Sequence, residues 1–223
     1  MAEHARQFLS LVMPRDIGPE KYLNVHWMGV SDRGKRFWDG RACESIDEAV
    51  RTIGWVNSHG DKDIYVCMST QTKCEEKTSN KGNVYRKAHR LSNNVAAIRS
   101  LFVDVDVKEG SYLTTKDALQ AFKQFMASIG MPMPTAVVMS GSGGFHAHWA
   151  LEEELTRDEW QPLANSLANA INKAKLFADT QCTVDSARIL RVPDTWNRKG
   201  EEPKEVTLKS ASDRIPVEVI RTA

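Results

Sequence analysis

The stretch Leu101–Val107, which reads LFVDVDV, decides the fold. Its apolar residues predict a buried β-strand, and the side chains of a strand alternate between the two faces of the sheet. Asp104 and Asp106 therefore share one face and lie about 7 Å apart along the strand. Two neighbouring carboxylates repel each other unless a cation lies between them. The stretch fits either a divalent metal site or an edge strand that carries two solvated aspartates.

Length and composition restrict the class of protein. The chain has 223 residues and a formal net charge of +1, which suits one substantial core or two small modules sharing one. This charge excludes a global electrostatic attraction to nucleic acid, so any such attraction must be local. No apolar run is long enough to span a membrane and no signal peptide is evident, which predicts a cytoplasmic protein without a membrane partner. The four cysteines are scattered, which favours reduced thiols over disulfides.

Residues 1–94 are predicted to form an N-terminal α/β module. Leu23–Met28 and Lys35–Trp38 have the composition of two paired strands joined by a turn. Ser45 begins a capping box that opens a helix to about Val56, and Asp63–Ser69 follows as a further strand.

The last part of this module, residues 71–94, is polar and basic. From Lys73 to Arg99 there are seven basic and two acidic residues, a difference of five positive charges (7 − 2). We expect a long loop, either solvated and mobile or acting as an arm that contacts nucleic-acid phosphates. The candidate phosphate contacts in this loop are Lys73, Lys81, Arg86, Lys87 and Arg90.

Residues 95–223 are predicted to form a second module with α+β architecture. Between residues 95 and 192 the patterns read β-α-β-β-α-β, which is the order of an RRM-like, modified ferredoxin-like antiparallel sheet with helices on one face. The predicted helices run from Thr114 to Ile129 and from Thr156 to about Phe177. The predicted strands after Leu101–Val107 are Thr135–Ser140, Phe145–Leu151, a strand-like segment over Cys182–Val192, and short closing strands at Val206–Leu208 and Val217–Ile220.

A glycine-rich turn over residues 140–144 leads into a strand that carries His146 and His148 on one face. Glycines allow close backbone approach, and successive N–H groups can cradle a phosphate. The alternative is an ordinary glycine hairpin followed by half-buried histidines. The candidate nucleotide-binding residues of this stretch are Ser140, Ser142, Gly143, Gly144 and His146.

The stretch Val184–Lys199 adds an acidic residue and several basic ones. Asp185 follows an apolar residue, as a third carboxylate of a metal site would. Arg188 and Arg191 supply positive charge suited to a triphosphate. Asn197, Arg198 and Lys199 are candidates for contacts with a nucleic-acid template. The alternative is an amphipathic strand and turn with solvated arginines.

Taken together and in this order, the three stretches resemble the archaeo-eukaryotic primase superfamily. The similarity is greatest to the RepB-like, primase-polymerase branch of plasmids, phages and other mobile elements. It rests on the hDhD strand Val103–Asp106, the glycine-rich turn leading to His146, and the hydrophobic-Asp pair Val184-Asp185 with the arginines that follow. The resemblance covers most of residues 60–200. His148 stands where an aromatic residue is common.

The resemblance implies one primase-polymerase domain built from both modules, acting as a DNA primase or polymerase in replication of a mobile element. It implies two Mg²⁺ or Mn²⁺ ions held by Asp104, Asp106 and Asp185, and a contact of His146 with the phosphates of the incoming nucleotide. Arg188 and Arg191 would neutralise charge on the triphosphate or template. The implied substrates are a single-stranded DNA template and NTPs or dNTPs. Primases of this kind often work beside a helicase or a further primase domain.

Two other functions compete with this interpretation. An HUH-type replication or mobilisation endonuclease would use His146 and His148, but it needs a nucleophilic tyrosine, and none follows the histidines in this sequence. A non-catalytic RRM-like module would expose aromatic residues on its central strands for base stacking. The central strand here carries two carboxylates instead.

Overall fold

The computed structural model describes residues 2–31, 33–79 and 82–223. Its helices are α1 (Glu3–Val12), α2 (Ile46–Ser58), α3 (Thr115–Ser128), α4 (Arg157–Ala174), α5 (Thr180–Val184) and α6 (Val217–Arg221), with a 3₁₀ turn at Ser92–Asn94. Its strands are β1 (Tyr22–Val30), β2 (Arg36–Cys43), β3 (Asp63–Gln71), β4 (Cys74–Thr78), β5 (Val84–Ala88), β6 (Val95–Val105), β7 (Ala136–Met139), β8 (Phe145–Leu155), β9 (Ile189–Arg191), β10 (Thr195–Asn197) and β11 (Lys204–Ala211).

Within the described residues, these strands form one sheet in the order β10-β11-β7-β8-β6-β3-β1-β2-β5-β4, with β9 paired to β3. The pairs are antiparallel. The predicted α+β class with an antiparallel sheet is therefore confirmed. The sheet continues from the N-terminal strands into the C-terminal ones, so both predicted modules share it. The boundary at residue 94 stays a prediction.

The order β6-α3-β7-β8-α4-β9 follows the predicted β-α-β-β-α-β pattern with one modification. β8 lies between β6 and β7, as in a ferredoxin-like sheet, but β9 pairs with β3 instead of β6. β3 and β6 pair only through Ser69–Gln71. After Ile98, β6 no longer pairs with β3. Near the end of β6 the segment before α5 binds the strand instead, since the N–H of Asp179 donates to the carbonyl of Asp104 at 2.9 Å.

Three local predictions were wrong. Residues 71–94 are not one long loop, because β4 and β5 form a hairpin in which Glu75 pairs with Lys87 and Glu76 with Arg86. Opposite charges across a strand pair stabilise it. Cys182–Val192, predicted as a strand-like segment with a turn, begins inside the short helix α5, and only Ile189–Arg191 of it form a strand. Val217–Ile220 belongs to helix α6 because its buried residues, Val217 and Ile220, recur at a spacing of three.

Helices α2, α3 and α4 are fixed by N-caps at the residues where the sequence predicts helix starts, and by packing on the sheet. Ser45, Thr114 and Thr156 each accept a hydrogen bond from the backbone N–H three residues later. Phe122 of α3 packs against Phe145 and Trp149 of β8. The indole of Trp160 on α4 donates to the carbonyl of Ser100 on β6. This packing holds β6 and β8 in register, and the candidate site depends on that register.

Among the described residues, no helix has the length and apolar character needed to cross a membrane.

The buried His26 on β1 predicts a pH-dependent stability. Burial, helped by Arg90 and His89, lowers the pKa of His26 to about 4. The unfolded chain, with a histidine pKa of about 6.5, takes up the proton first, so this contribution is present above pH 6.5 and is lost as the pH falls towards 4. We expect the free energy of unfolding to fall by about 2 kcal/mol from pH 7.5 to pH 5 on account of His26. Urea denaturation at both pH values measures this change.

His26→Leu removes this titration and should reduce the difference between the two pH values. His59→Gln is the control because His59 is exposed and its replacement should leave the difference unchanged. An equal pH dependence in His26→Leu and the unsubstituted protein would contradict the expectation.

Candidate functional site

Asp104 on β6 lies directly opposite His146 on β8. The Nε2 atom of His146 is 3.6 Å from Oδ1 of Asp104, and the two side chains are 6% and 18% exposed. Burial raises the pKa of Asp104 and lowers the pKa of His146. His146 is therefore neutral at pH 7, and the fold penalises the negative charge on Asp104.

Arg188 and Asp179 lie beside this pair. The guanidinium of Arg188 is 3.0 Å from Oδ2 of Asp179 and 3.9 Å from Oδ2 of Asp104. Asp179 is the N-cap of α5, where its Oδ1 accepts a hydrogen bond from the N–H of Cys182. Its own N–H binds the carbonyl of Asp104 at 2.9 Å. The cap and the backbone bond together fix the Asp179 carboxylate next to β6.

Asp106 lies one residue beyond the end of β6 and is half-exposed. Its Oδ2 accepts a hydrogen bond from the ammonium of Lys108 at 2.6 Å. After burial, which is the largest cause, the negative charges of Asp106 and Asp179 contribute to the raised pKa of Asp104. We call Asp104, Asp106 and Asp179 the acidic cluster, since their charges act on one another.

The donor chemistry of the acidic cluster fits a divalent cation. Carboxylate oxygens are the ligands that Mg²⁺ and Mn²⁺ prefer, and a cation would offset the charge that raises the pKa of Asp104. The ligands are not preassembled, because in the part of the chain that the structure describes no three His, Cys, Asp or Glu side chains converge on one point. Lys108 and Arg188 contact the carboxylates instead.

Asp185, the predicted third ligand, is not part of the acidic cluster. It ends α5, and its Oδ1 accepts a hydrogen bond from the N–H of Ala187 at 3.0 Å. Its Oδ2 is 3.3 Å from the guanidinium of Arg90. Its role as a metal ligand stays a prediction, while the structure brings Asp179 to Asp104. Sequence reasoning missed Asp179, whose only signals are the preceding apolar residue and its position before a helix.

The glycine-rich turn packs against the end of β6. A Cβ atom on Gly144 would lie 2.5 Å from the carbonyl oxygen of Val105, and one on Gly141 would lie 2.9 Å from that of Lys204. The hydroxyl of Ser140 donates to the carbonyl of Gly144, and it also lies 2.9 Å from the Ser142 hydroxyl. Close approach to other backbone therefore accounts for these two glycines. The phosphate cradle formed by the turn, including Ser142 and Gly143, stays a prediction.

Gly144→Ala is expected to lower the free energy of unfolding by about 2 kcal/mol, because a methyl group pressed against backbone cannot be accommodated by a side-chain rotation. Urea denaturation followed by circular dichroism measures the effect. Gly54→Ala on α2 is the control, since no atom lies within 4 Å of the position that a Cβ atom would take there. In a helix this change should raise stability by up to about 1 kcal/mol. Equal midpoints for the two variants would contradict this account of Gly144.

The predicted basic residues fall into different environments. Arg191 is buried and paired with Asp63 at 2.6 Å, and Asn197 is buried with its amide donating to the carbonyl of Ser140. Arg86 is paired with Glu48, and Arg90 contacts Asp185. Lys87 lies opposite Glu75 across the hairpin. Lys73 and Lys199 are exposed, Arg198 is partly exposed, and Lys81 lies outside the described residues.

His148 is buried in the core next to the site. Its ring lies 5.0 Å from that of Phe8 and 6.4 Å from that of Phe102. Both of its ring nitrogens are buried without a hydrogen-bond partner within the described residues, and burial lowers its pKa well below the usual value. His148 therefore serves as an aromatic packing residue, and only His146 of the histidine pair faces the acidic cluster.

Comparison with known proteins places this geometry in a known fold. No protein-family model and no curated protein matches the chain. The primase-polymerase (PrimPol) AEP domain of cyanophage S-2L matches with a TM-score of 0.61 at 14% identity, covering 99% of this chain and 96% of that one. The catalytic domain of primase RepB′, in complex with initiator DNA, matches with a TM-score of 0.52 at 15% identity, covering 98% and 92%.

A third match is the polymerase domain of Mycobacterium tuberculosis ligase D in complex with DNA. Its TM-score is 0.53 at 14% identity, and the match covers 98% of this chain and 85% of that one. The chain thus has an archaeo-eukaryotic primase-like fold over 98–99% of its length, whereas the sequence resemblance that implied this fold covered most of residues 60–200.

Proposed function

We propose that this chain is a template-dependent nucleotidyltransferase, a DNA primase or primase-polymerase. The observation that carries the proposal is the acidic cluster beside neutral His146 and Arg188, at the end of β6 in an archaeo-eukaryotic primase-like fold. The substrates we propose are a single-stranded DNA template and NTPs or dNTPs. We further propose a role in the replication of a plasmid, phage or other mobile element, which the sequence resemblance supports.

Divalent Mg²⁺ or Mn²⁺ ions, held by Asp104 and Asp106 with Asp179 as the further carboxylate of the acidic cluster, would activate a 3′-hydroxyl and stabilise the leaving pyrophosphate. The chain's own residues orient the substrate. His146 is neutral, so it can donate one hydrogen bond to a phosphate oxygen without adding charge. Arg188 is close enough to Asp104 to contact a phosphate bound there and supplies the positive charge that such a group needs.

Two observations weigh against the competing functions. An HUH endonuclease would need both histidines at a metal, but His148 is enclosed by Phe8 and Phe102. A non-catalytic RRM-like binder would need exposed aromatic rings on the central strands, but Phe102 and Phe145 of β6 and β8 are fully buried.

The test is an extension assay with purified protein, a single-stranded template, NTPs or dNTPs, and Mg²⁺ or Mn²⁺. Extension of an annealed primer that depends on the metal is the expected result. Product made without a primer would add primase activity to polymerase activity. A covalent tyrosine–DNA adduct, or binding without synthesis under all of these conditions, would contradict the proposal.

A further inference from the structure

A cleft of about 370 Å³ opens next to the acidic cluster, and Asp106 and Asp179 both line it. Lys108 and Ser111 line it on the side of the loop after β6, and Phe177 and Ala178 on the side of the segment before α5. The cleft therefore combines carboxylates and an ammonium group with one large aromatic ring. None of the sequence motifs used above includes Phe177.

Phe177 is 54% exposed, so a face of its ring is open to solvent. It is nevertheless held in place. Its ring meets that of Tyr112 edge to face, with centroids 5.5 Å apart and an interplanar angle of 82°. Its N–H donates to the hydroxyl of Tyr112 at 3.3 Å. Two residues later, Asp179 is fixed by its bond to Asp104 and by capping α5.

We propose that Phe177 is a stacking platform for a nucleobase, and that Tyr112 positions it. The inference rests on the proposed function. A nucleotide presents negatively charged phosphates and sugar hydroxyls at one end and a flat aromatic base at the other. The cleft fits both ends, because Lys108 and a divalent cation held by the acidic cluster would meet the phosphates, and a fixed, half-exposed aromatic ring lies beside them. Stacking on an aromatic side chain accepts any base, as a template-directed enzyme requires.

The base belongs either to an incoming nucleotide or to the 3′ end of a primer, and both present the same stacking surface. Fluorescence of 2-aminopurine, which falls when this base stacks on an aromatic ring, distinguishes them. One probe is 2-aminopurine deoxynucleoside triphosphate, added without template so that no synthesis occurs. The other is a primer–template with 2-aminopurine as the last base of the primer.

We expect the unsubstituted protein to quench one of the two probes, and Phe177→Leu to bind that probe about tenfold more weakly with little quenching. Phe177→Trp should restore both the binding and the quenching of that probe. Tyr112→Phe keeps the ring contact but removes the hydroxyl that accepts from the N–H of Phe177, and it should weaken binding less. Phe37→Leu is the matched control, because Phe37 on β2 is also partly exposed and does not line the cleft.

Equal quenching of that probe by Phe177→Leu and by the unsubstituted protein, or quenching of neither probe by the unsubstituted protein, would overturn the stacking site. Circular dichroism and the melting temperature verify that each variant is folded. Failure of the proposed function gives a different result, since stacking would be intact while no extension occurs with any nucleotide or metal. If the protein extends primers but Phe177→Leu quenches the probe as well as the unsubstituted protein does, only the stacking site is refuted and the proposed function stands.

Discussion

Asp104→Asn should reduce nucleotide incorporation about a thousandfold while the protein stays folded. The substitution keeps the shape of the side chain and removes its negative charge. A catalytic metal contributes several kcal/mol of transition-state stabilisation, and each 1.36 kcal/mol changes the rate tenfold. A steady-state primer-extension assay with Mg²⁺ and with Mn²⁺ measures the loss. Asp106→Asn should act in the same direction, because the two carboxylates follow one another along the end of β6.

Asp104→Asn should also be more stable than the unsubstituted protein when no divalent metal is present. The pKa of Asp104 is raised in the folded state by burial and by its acidic neighbours, so at pH 7 the folded chain carries an unfavourable charge there. A neutral amide removes that cost, and the melting temperature in EDTA should rise. Asp213→Asn is a suitable control, since Asp213 is exposed and distant in sequence from the site. Full extension activity in Asp104→Asn would refute the catalytic assignment, whatever its stability.

The strand that carries Asp104 was predictable because its signal is local. The alternation in Leu101–Val107 and the apolar run around it identify a buried strand, and the Ser45, Thr114 and Thr156 caps mark helix starts that the structure has. His146 was also predictable, because the glycine turn pairs β8 with β7, and the β-α-β-β-α-β order places this hairpin beside β6.

The rest depends on distant parts of the chain. Glu75 and Glu76 lie opposite Lys87 and Arg86 only in the register that the hairpin adopts. A count of charges along the sequence does not contain this register, so it predicted a basic loop. Gly141 and Gly144 leave room for the backbone carbonyls of Lys204 and Val105, respectively. No local sequence pattern distinguishes such a packing role from a phosphate-binding role.

The sequence alone did not show which of two hydrophobic-Asp pairs lies beside Asp104, because this depends on the fold. Ala178-Asp179 and Val184-Asp185 look alike in sequence. The predicted helix ends at about Phe177 and the predicted strand-like segment begins at Cys182, so Asp179 lies in the loop between them. In the structure α4 ends at Ala174, and the segment that follows reaches the free edge of β6.

Asp179→Asn and Asp185→Asn decide which carboxylate serves the site. Asparagine is as good an N-cap as aspartate, so Asp179→Asn should keep α5 and lose only the charge next to Asp104 and Arg188. We expect extension activity to fall about a hundredfold, roughly 3 kcal/mol of transition-state stabilisation. Asp185→Asn loses a partly exposed ion pair with Arg90, a contribution of about 1 kcal/mol or less to stability, and should keep activity within about threefold.

Arg90→Gln is the matched control for Asp185→Asn, because it breaks the same ion pair and leaves the carboxylate in place. If the ion pair alone matters, both variants should show the same small change in melting temperature. A large loss of activity in Asp185→Asn, with Asp179→Asn near normal, would assign the third carboxylate to Asp185, as the sequence resemblance implies. In this structure the Asp185 carboxylate is held by Ala187 and Arg90, so such a result would require at least one of these two contacts to break when metal and nucleotide bind.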